Sequence, residues 1–116
     1  MFNEYYCQCI RRVLVNAQYK KGVLELCVLS LLKKHDRYGY EISESLSAHI
    51  DIADGTVYPI LRKLRDDGLL TTYLQEESGG PPRKYYSLTK LGRETFEKDR
   101  AEYISFANVV SALLED

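Results

Sequence analysis

The stretch from Leu70 to Leu88 constrains the fold most, because it interrupts a chain otherwise written in helical periods. Leu70 to Gln75 carries Thr71, Thr72 and Tyr73, residue types that suit a pleated, half-buried surface. Glu76-Glu77-Ser78-Gly79-Gly80-Pro81-Pro82 is a loop by composition, and Arg83 to Leu88 reads as the returning strand. An isolated two-stranded hairpin is marginal in water, so this one must lean on helices supplied by the rest of the chain.

Those helices are legible on both sides. Residues 4–18 place Tyr6, Ile10, Val13, Leu14 and Ala17 on one stripe, and residues 22–34 place Leu24, Cys27, Val28 and Leu31 on another. Asp36 and Gly39 interrupt the pattern, and a segment of about ten residues follows with Ile42 and Leu46 on one face. Residues 49–54 form an aspartate-rich connector, and Asp54 is placed to cap the next helix with its carboxylate. That helix, expected over 55–67, buries Val57, Ile60, Leu61 and Leu64 and stops at Gly68, a left-handed C-terminal residue. Thr89 caps a last helix running to about Leu114. The expected class is α+β, mostly α, and three short helices followed by a hairpin are the order of a winged helix-turn-helix. Residues 20–88 would form that domain, with an extra N-terminal helix in 1–19 and a C-terminal dimerisation helix in 89–116.

Composition narrows the functional classes. A hydrophobic fraction of 45% and a charged fraction of 28% are ordinary for a globular domain. No apolar run approaches the roughly 18–20 residues needed to span a membrane, and the N-terminus lacks the pattern of a signal peptide. The expected location is therefore the cytoplasm, with no membrane partner. Cys7, Cys9 and Cys27 are an odd set without a disulfide framework. Cys7 and Cys9, two apart on a helix, point in different directions and do not grip one ion together. His35 and His49 lack paired ligand spacing. Free structural thiols are expected, with no metal and no cofactor. No Ser-His-Asp set, phosphate loop or metal cluster marks an enzyme. A net charge of −1 argues against nucleic acid, since phosphate neutralisation dominates such affinity, unless basic side chains gather on one face.

Four stretches in order resemble the PadR family of transcriptional regulators. They are Lys21-Gly22-Val23-Leu24-Glu25-Leu26-Cys27-Val28-Leu29-Ser30-Leu31-Leu32; Tyr38-Gly39-Tyr40-Glu41-Ile42; Asp54-Gly55-Thr56-Val57-Tyr58-Pro59-Ile60-Leu61-Arg62-Lys63-Leu64 with Gly68-Leu69-Leu70; and Gly80-Pro81-Pro82-Arg83-Lys84-Tyr85-Tyr86-Ser87-Leu88-Thr89 with Gly92. The resemblance spans about residues 20–100, and the third stretch is the most specific. The implied function is sequence-specific binding of a double-stranded DNA operator by a homodimer, with repression relieved by a small aromatic or drug-like effector. The lack of Trp excludes an effector pocket built on tryptophan, and the short last helix resembles that of the family's smaller subgroup.

Helix-turn-helix geometry places the second helix of the motif in the major groove, N-terminal residues nearest the base edges. The DNA-binding candidates are thus Gly55 for close approach, Thr56, Tyr58 and Pro59 near the helix start, Arg62 and Lys63 for charge, and Arg83 and Lys84 on the wing. One of Tyr38 and Tyr40 is expected in the core and the other at a phosphate; Tyr40 stands as the DNA-side candidate. Structural alternatives remain open: Tyr58 as a core aromatic, Arg62 and Lys63 as a solvated face, Arg83 and Lys84 as partners of Glu76 and Glu77. Along the last helix Phe96, Tyr103, Ala107, Val110 and Leu114 approximate a short heptad seam for dimerisation, to which Tyr6, Ile10 and Val13 add from either subunit. Tyr5, Tyr6, Tyr103 and Phe106 are the candidates for an effector site. A winged-helix module that docks a protein instead of DNA is the alternative function.

Overall fold

A computed structural model describes residues 22–53, 55–76 and 79–115. Its order is α1 (Val23–Lys34), β1 (Arg37–Tyr38), α2 (Gly39–Ser47), α3 (Val57–Asp66), β2 (Leu70–Gln75), β3 (Arg83–Leu88) and α4 (Lys90–Leu114). The helix expected in residues 4–18, with Tyr5, Tyr6, Ile10 and Val13, lies outside the described residues, as does the proposed cap Asp54.

α1 carries Glu25 in its first turn and Lys33 and Lys34 in its last, each sign at the helix end whose dipole favours it. It buries Leu24, Val28, Leu29 and Leu32. Cys27 and Leu31, expected on the inner face, stand only at its edge, because Leu29 and Leu32 shift the buried stripe by about one residue. Cys27 is a free thiol whose pKa is raised by burial, so it stays protonated at neutral pH. α2 starts with Glu41 Oε1 accepting from the Tyr38 backbone N–H at 3.2 Å, half of a capping box, and buries Ile42 and Leu46.

α3 buries Val57, Leu61 and Leu64, spaced four and three apart, to 1% exposure or less. Ile60, expected inside, is only partly buried. The helix closes as a Schellman turn: Leu69 N–H donates to Leu64 O, Gly68 N–H donates to Arg65 O, and Gly68 takes φ 81°.

β2 and β3 form the antiparallel wing, with Leu70 facing Leu88 and Gln75 facing Arg83. The sheet has three strands, not two, in the order β1-β3-β2. β1 pairs Arg37 with Tyr86 and Tyr38 with Tyr85. Two residues are too few to show a period, so the sequence does not announce this strand. Arg37 then secures the motif from inside the turn, donating to Leu31 O and Ser45 Oγ, both at 3.2 Å.

Thr89 Oγ1 accepts from Gly92 N–H at 2.9 Å and starts α4 at the expected place. Phe96 corrects the seam drawn from the sequence: at 5% exposure it packs in this chain's own core, with Lys33 Nζ 5.3 Å from its ring centroid. Beyond it α4 leaves the core. Its 25 residues span about 37 Å, and Phe106, Val109, Leu113 and Leu114 are 58–79% exposed. Among the described residues no helix is long and apolar enough to cross a membrane, and no cluster of three or more acidic, histidine or cysteine side chains could hold a metal ion.

Candidate nucleic-acid interface

With Val57, Leu61 and Leu64 turned inward, the opposite face of α3 follows from its period. Tyr58, Pro59, Arg62 and Lys63 are exposed, Thr56 is half-buried at the N-cap, and Gly55 precedes it at φ 84°. Pro59 is the third residue of the helix, where a backbone donor has no intrahelical acceptor, so its missing N–H costs no helix bond.

The start of α2, the start of α3 and the wing meet at a cleft of about 370 Å³. It is lined by Tyr38, Gly39, Tyr40, Tyr58, Arg83, Lys84 and Tyr86. Four of the predicted DNA-side residues, Tyr40, Tyr58, Arg83 and Lys84, are brought together there. Gly39 leaves room for the contact: a Cβ would stand 2.8 Å from Tyr58 Cε1, so the ring would have to shift. The Tyr38-Gly39-Tyr40 spacing thus lets the Tyr58 ring lie against the backbone of α2, with 44% of the residue still exposed. Tyr40 is 59% exposed and Tyr38 half-buried; both line the cleft, and neither belongs to the core. Burial raises the pKa of Tyr86 at the floor of the cleft, while the positive charges of Arg65 and Arg62 pull it down.

The cations differ in their partners. Lys63 Nζ lies 3.0 Å from Asp67 Oδ2 and 3.3 Å from Glu25 Oε1, and these hydrogen bonds raise its pKa. The sequence groups it with Arg62; the structure ties it across to α1. Arg65 lies 3.4 Å from Asp66 Oδ1. Among the described residues Arg62, Arg83 and Lys84 form no ion pair, and the pairing of the wing cations with Glu76 is not seen. Lys63→Ala is therefore expected to leave DNA affinity within about twofold of wild type, because an exposed, already paired charge adds little; titration with labelled duplex DNA checks this.

Two further residues border this surface: Arg65, which the sequence did not single out, and Tyr38, which it offered only as the alternative to Tyr40. Arg65 reaches the electrostatic surroundings of Tyr86 from the last turn of α3. Tyr38 sits under the Arg83 guanidinium, 4.6 Å from ring centroid to Cζ. No local signal marks either, since both contacts cross some twenty or more residues of chain.

A second, less open groove of about 330 Å³ lies between α1, the end of α3 and α4, lined among others by Leu26, Leu29, Glu25, Asp99, Glu102 and Tyr103. Of the two effector candidates among the described residues, Tyr103 lines it and Phe106 is exposed further along α4.

Residues 28–98 match the family model described as the transcriptional regulator PadR-like family. The chain is similar to the crystal structure of a PadR-like transcriptional regulator from Bacillus cereus, with 34% identity and a TM-score of 0.79 over 86% of this chain and 99% of that one. It is 32% identical to the negative transcriptional regulator PadR of Bacillus subtilis, over 62% of this chain and 42% of that protein. It is 31% identical to the transcriptional regulator YqjI of Escherichia coli, over 70% of this chain and 39% of that protein. The chain thus spans about two-fifths of the length of these last two relatives.

Proposed function

The chain belongs to the PadR-like family, whose members are transcriptional regulators and not enzymes, and from that premise we propose that it is a sequence-specific DNA-binding repressor acting as a homodimer. The observation that carries this reading is the shared orientation of α3 and the wing. Tyr58 and Arg62, with Thr56 and Pro59 at the helix start, face outward beside the cleft where Tyr40, Arg83 and Lys84 converge. In such a helix-turn-helix, α3 enters the major groove and Gly55 lets the backbone approach the phosphates. Arg83 and Lys84 meet the flanking backbone, positioning the reader without carrying sequence information themselves. The work of such a repressor is done in the cytoplasm.

One domain contacts too few base pairs for useful specificity, and two-fold symmetry doubles the contact. The exposed half of α4, with Tyr103, Ala107, Val110 and Leu114 along one stripe and Phe106, Val109 and Leu113 beside it, is the partner surface, joined by Tyr6, Ile10 and Val13 from either subunit. Burying a side chain of this size stabilises by roughly 1.5–3 kcal/mol, and a two-fold interface counts each twice. Phe106→Ser with Leu113→Ser is expected to raise the dimer dissociation constant at least about a hundredfold; sedimentation equilibrium reads it. A small aromatic or drug-like effector relieving repression would be met at that interface, with Tyr103 and Phe106 lining its site alongside Tyr5 and Tyr6.

The test is retardation of fragments from the gene's own upstream region at about 50 and 200 mM salt, where a protein making 6–10 phosphate contacts loses roughly 10³–10⁵ in affinity. A salt-sensitive shift of one palindromic fragment supports the reading. The net charge of −1 favours one rival, a winged-helix module that docks a protein without binding DNA; there no fragment would be retarded even at the lower salt.

A further inference from the structure

The outer face of the sheet carries a row of tyrosines across all three strands. Tyr73 and Tyr85 are cross-strand partners with ring centroids 5.6 Å apart and planes 16° from parallel. Tyr85 is in turn the β3 partner of Tyr38, again with centroids 5.6 Å apart, and Tyr38 lies 6.4 Å from Tyr40 at the start of α2. The far end is fixed by a hydrogen bond, in which Tyr73 Oη donates to Asp36 Oδ2 at 2.7 Å. That bond holds the proton on Tyr73 and raises its pKa. Arg83, the wing cation nearest the loop, lays its guanidinium over Tyr38 with Cζ 4.6 Å from the ring centroid.

An arginine on an exposed hairpin has many rotamers, and most of them point it into water. Here the ring of Tyr38 selects the few in which the guanidinium lies at the mouth of the cleft, between α2 and the wing. We propose that Tyr38 is a positioning residue for DNA binding: its ring orients Arg83 toward the phosphate backbone, and the row Tyr85-Tyr73-Asp36 holds that ring in place. The inference rests on the DNA-binding reading given above. It assigns to Tyr38 a task separate from that of Tyr40, which stands on the same turn but on the open side of the cleft.

The test is the salt dependence of operator binding by the full chain, measured by fluorescence anisotropy. Each phosphate contact contributes about −0.9 to the slope of log affinity against log salt. Tyr38→Leu is expected to weaken binding about fivefold and to make the slope shallower by about 0.9, with an unchanged melting temperature. Tyr38→Phe keeps the stack and is expected to match wild type in both. Combined with Arg83→Ala, Tyr38→Leu is expected to add nothing, because the arginine it orients is gone. An unchanged slope in Tyr38→Leu, or full additivity with Arg83→Ala, overturns the proposal. Where Tyr38→Leu fails to fold, Arg83→Lys probes the same contact from the other side. It keeps the charge and loses the planar stack, and wild-type affinity and slope in that variant overturn the proposal equally. A wild-type chain that binds no duplex at all sinks the DNA-binding reading itself, an outcome distinct from any of these.

Discussion

Arg62→Ala is expected to weaken binding to the cognate operator by about 5- to 150-fold, and to weaken binding to unrelated duplex far less. α3 offers three cations, and their surroundings rank them. Lys63 is held by Asp67 and Glu25, and Arg65 lies beside Asp66, whereas Arg62 forms no ion pair among the described residues. It stands four residues after Tyr58, which lines the cleft, and so shares that side of the helix. On the proposed DNA-binding reading an arginine here would reach a base edge, and a good bidentate pair to guanine contributes roughly 1–3 kcal/mol of discrimination. Affinity lost equally on every sequence, with a shallower salt slope, would instead place Arg62 on a phosphate. Titration of both duplexes separates the two outcomes.

Gly92→Ala is expected to destabilise the domain by about 3 kcal/mol, toward the upper end of what overpacking costs, and to lower the melting temperature by roughly 10–20 °C. A Cβ at this position would stand 2.1 Å from Leu69 O and 3.1 Å from Leu88 Cδ2. The carbonyl has little freedom to withdraw, because it also accepts from Thr89 N–H at 3.0 Å and Thr89 Oγ1 at 3.1 Å. Helix propensity alone predicts the opposite sign, since alanine is favoured over glycine by about 1 kcal/mol in a helix interior. The clash outweighs that preference and decides the outcome. Because Leu69 leads into β2 and Gly92 opens α4, the variant loosens the wing and the last helix together. Thermal melting monitored by circular dichroism checks it, and a fall of less than about 3 °C would contradict the close approach.

The parts of this molecule that are legible in the sequence are those encoded by residues close together in the chain. The stripe Val57, Leu61 and Leu64, the stop at Gly68, the Thr89 cap and the Gly-Gly-Pro-Pro wing loop each show themselves within a few residues. The wing reads as a two-stranded hairpin because β1 is only two residues long and finds its partner 47 or more positions away. Lys63 groups with Arg62 in the sequence because its partner Glu25 lies 38 residues upstream, where no local pattern connects them. Phe96 joins the dimer seam for a related reason. A stripe repeating every seven residues looks the same whether it faces its own core or the outside, and α4 passes from this chain's core at Phe96 to exposed residues beyond it. Nothing local marks Tyr38 as a support for Arg83, since stacking across strands depends on a register that only the folded sheet defines.

Recognition of one duplex sequence by α3 and the wing is the central claim. The most direct measurement is the ratio of affinities, at about 150 mM salt, for a retarded upstream fragment and for a scrambled duplex of equal length and composition. A ratio of at least about 10³ is predicted, with two chains bound per site. Equal affinity for the two duplexes, or none for either, would contradict it.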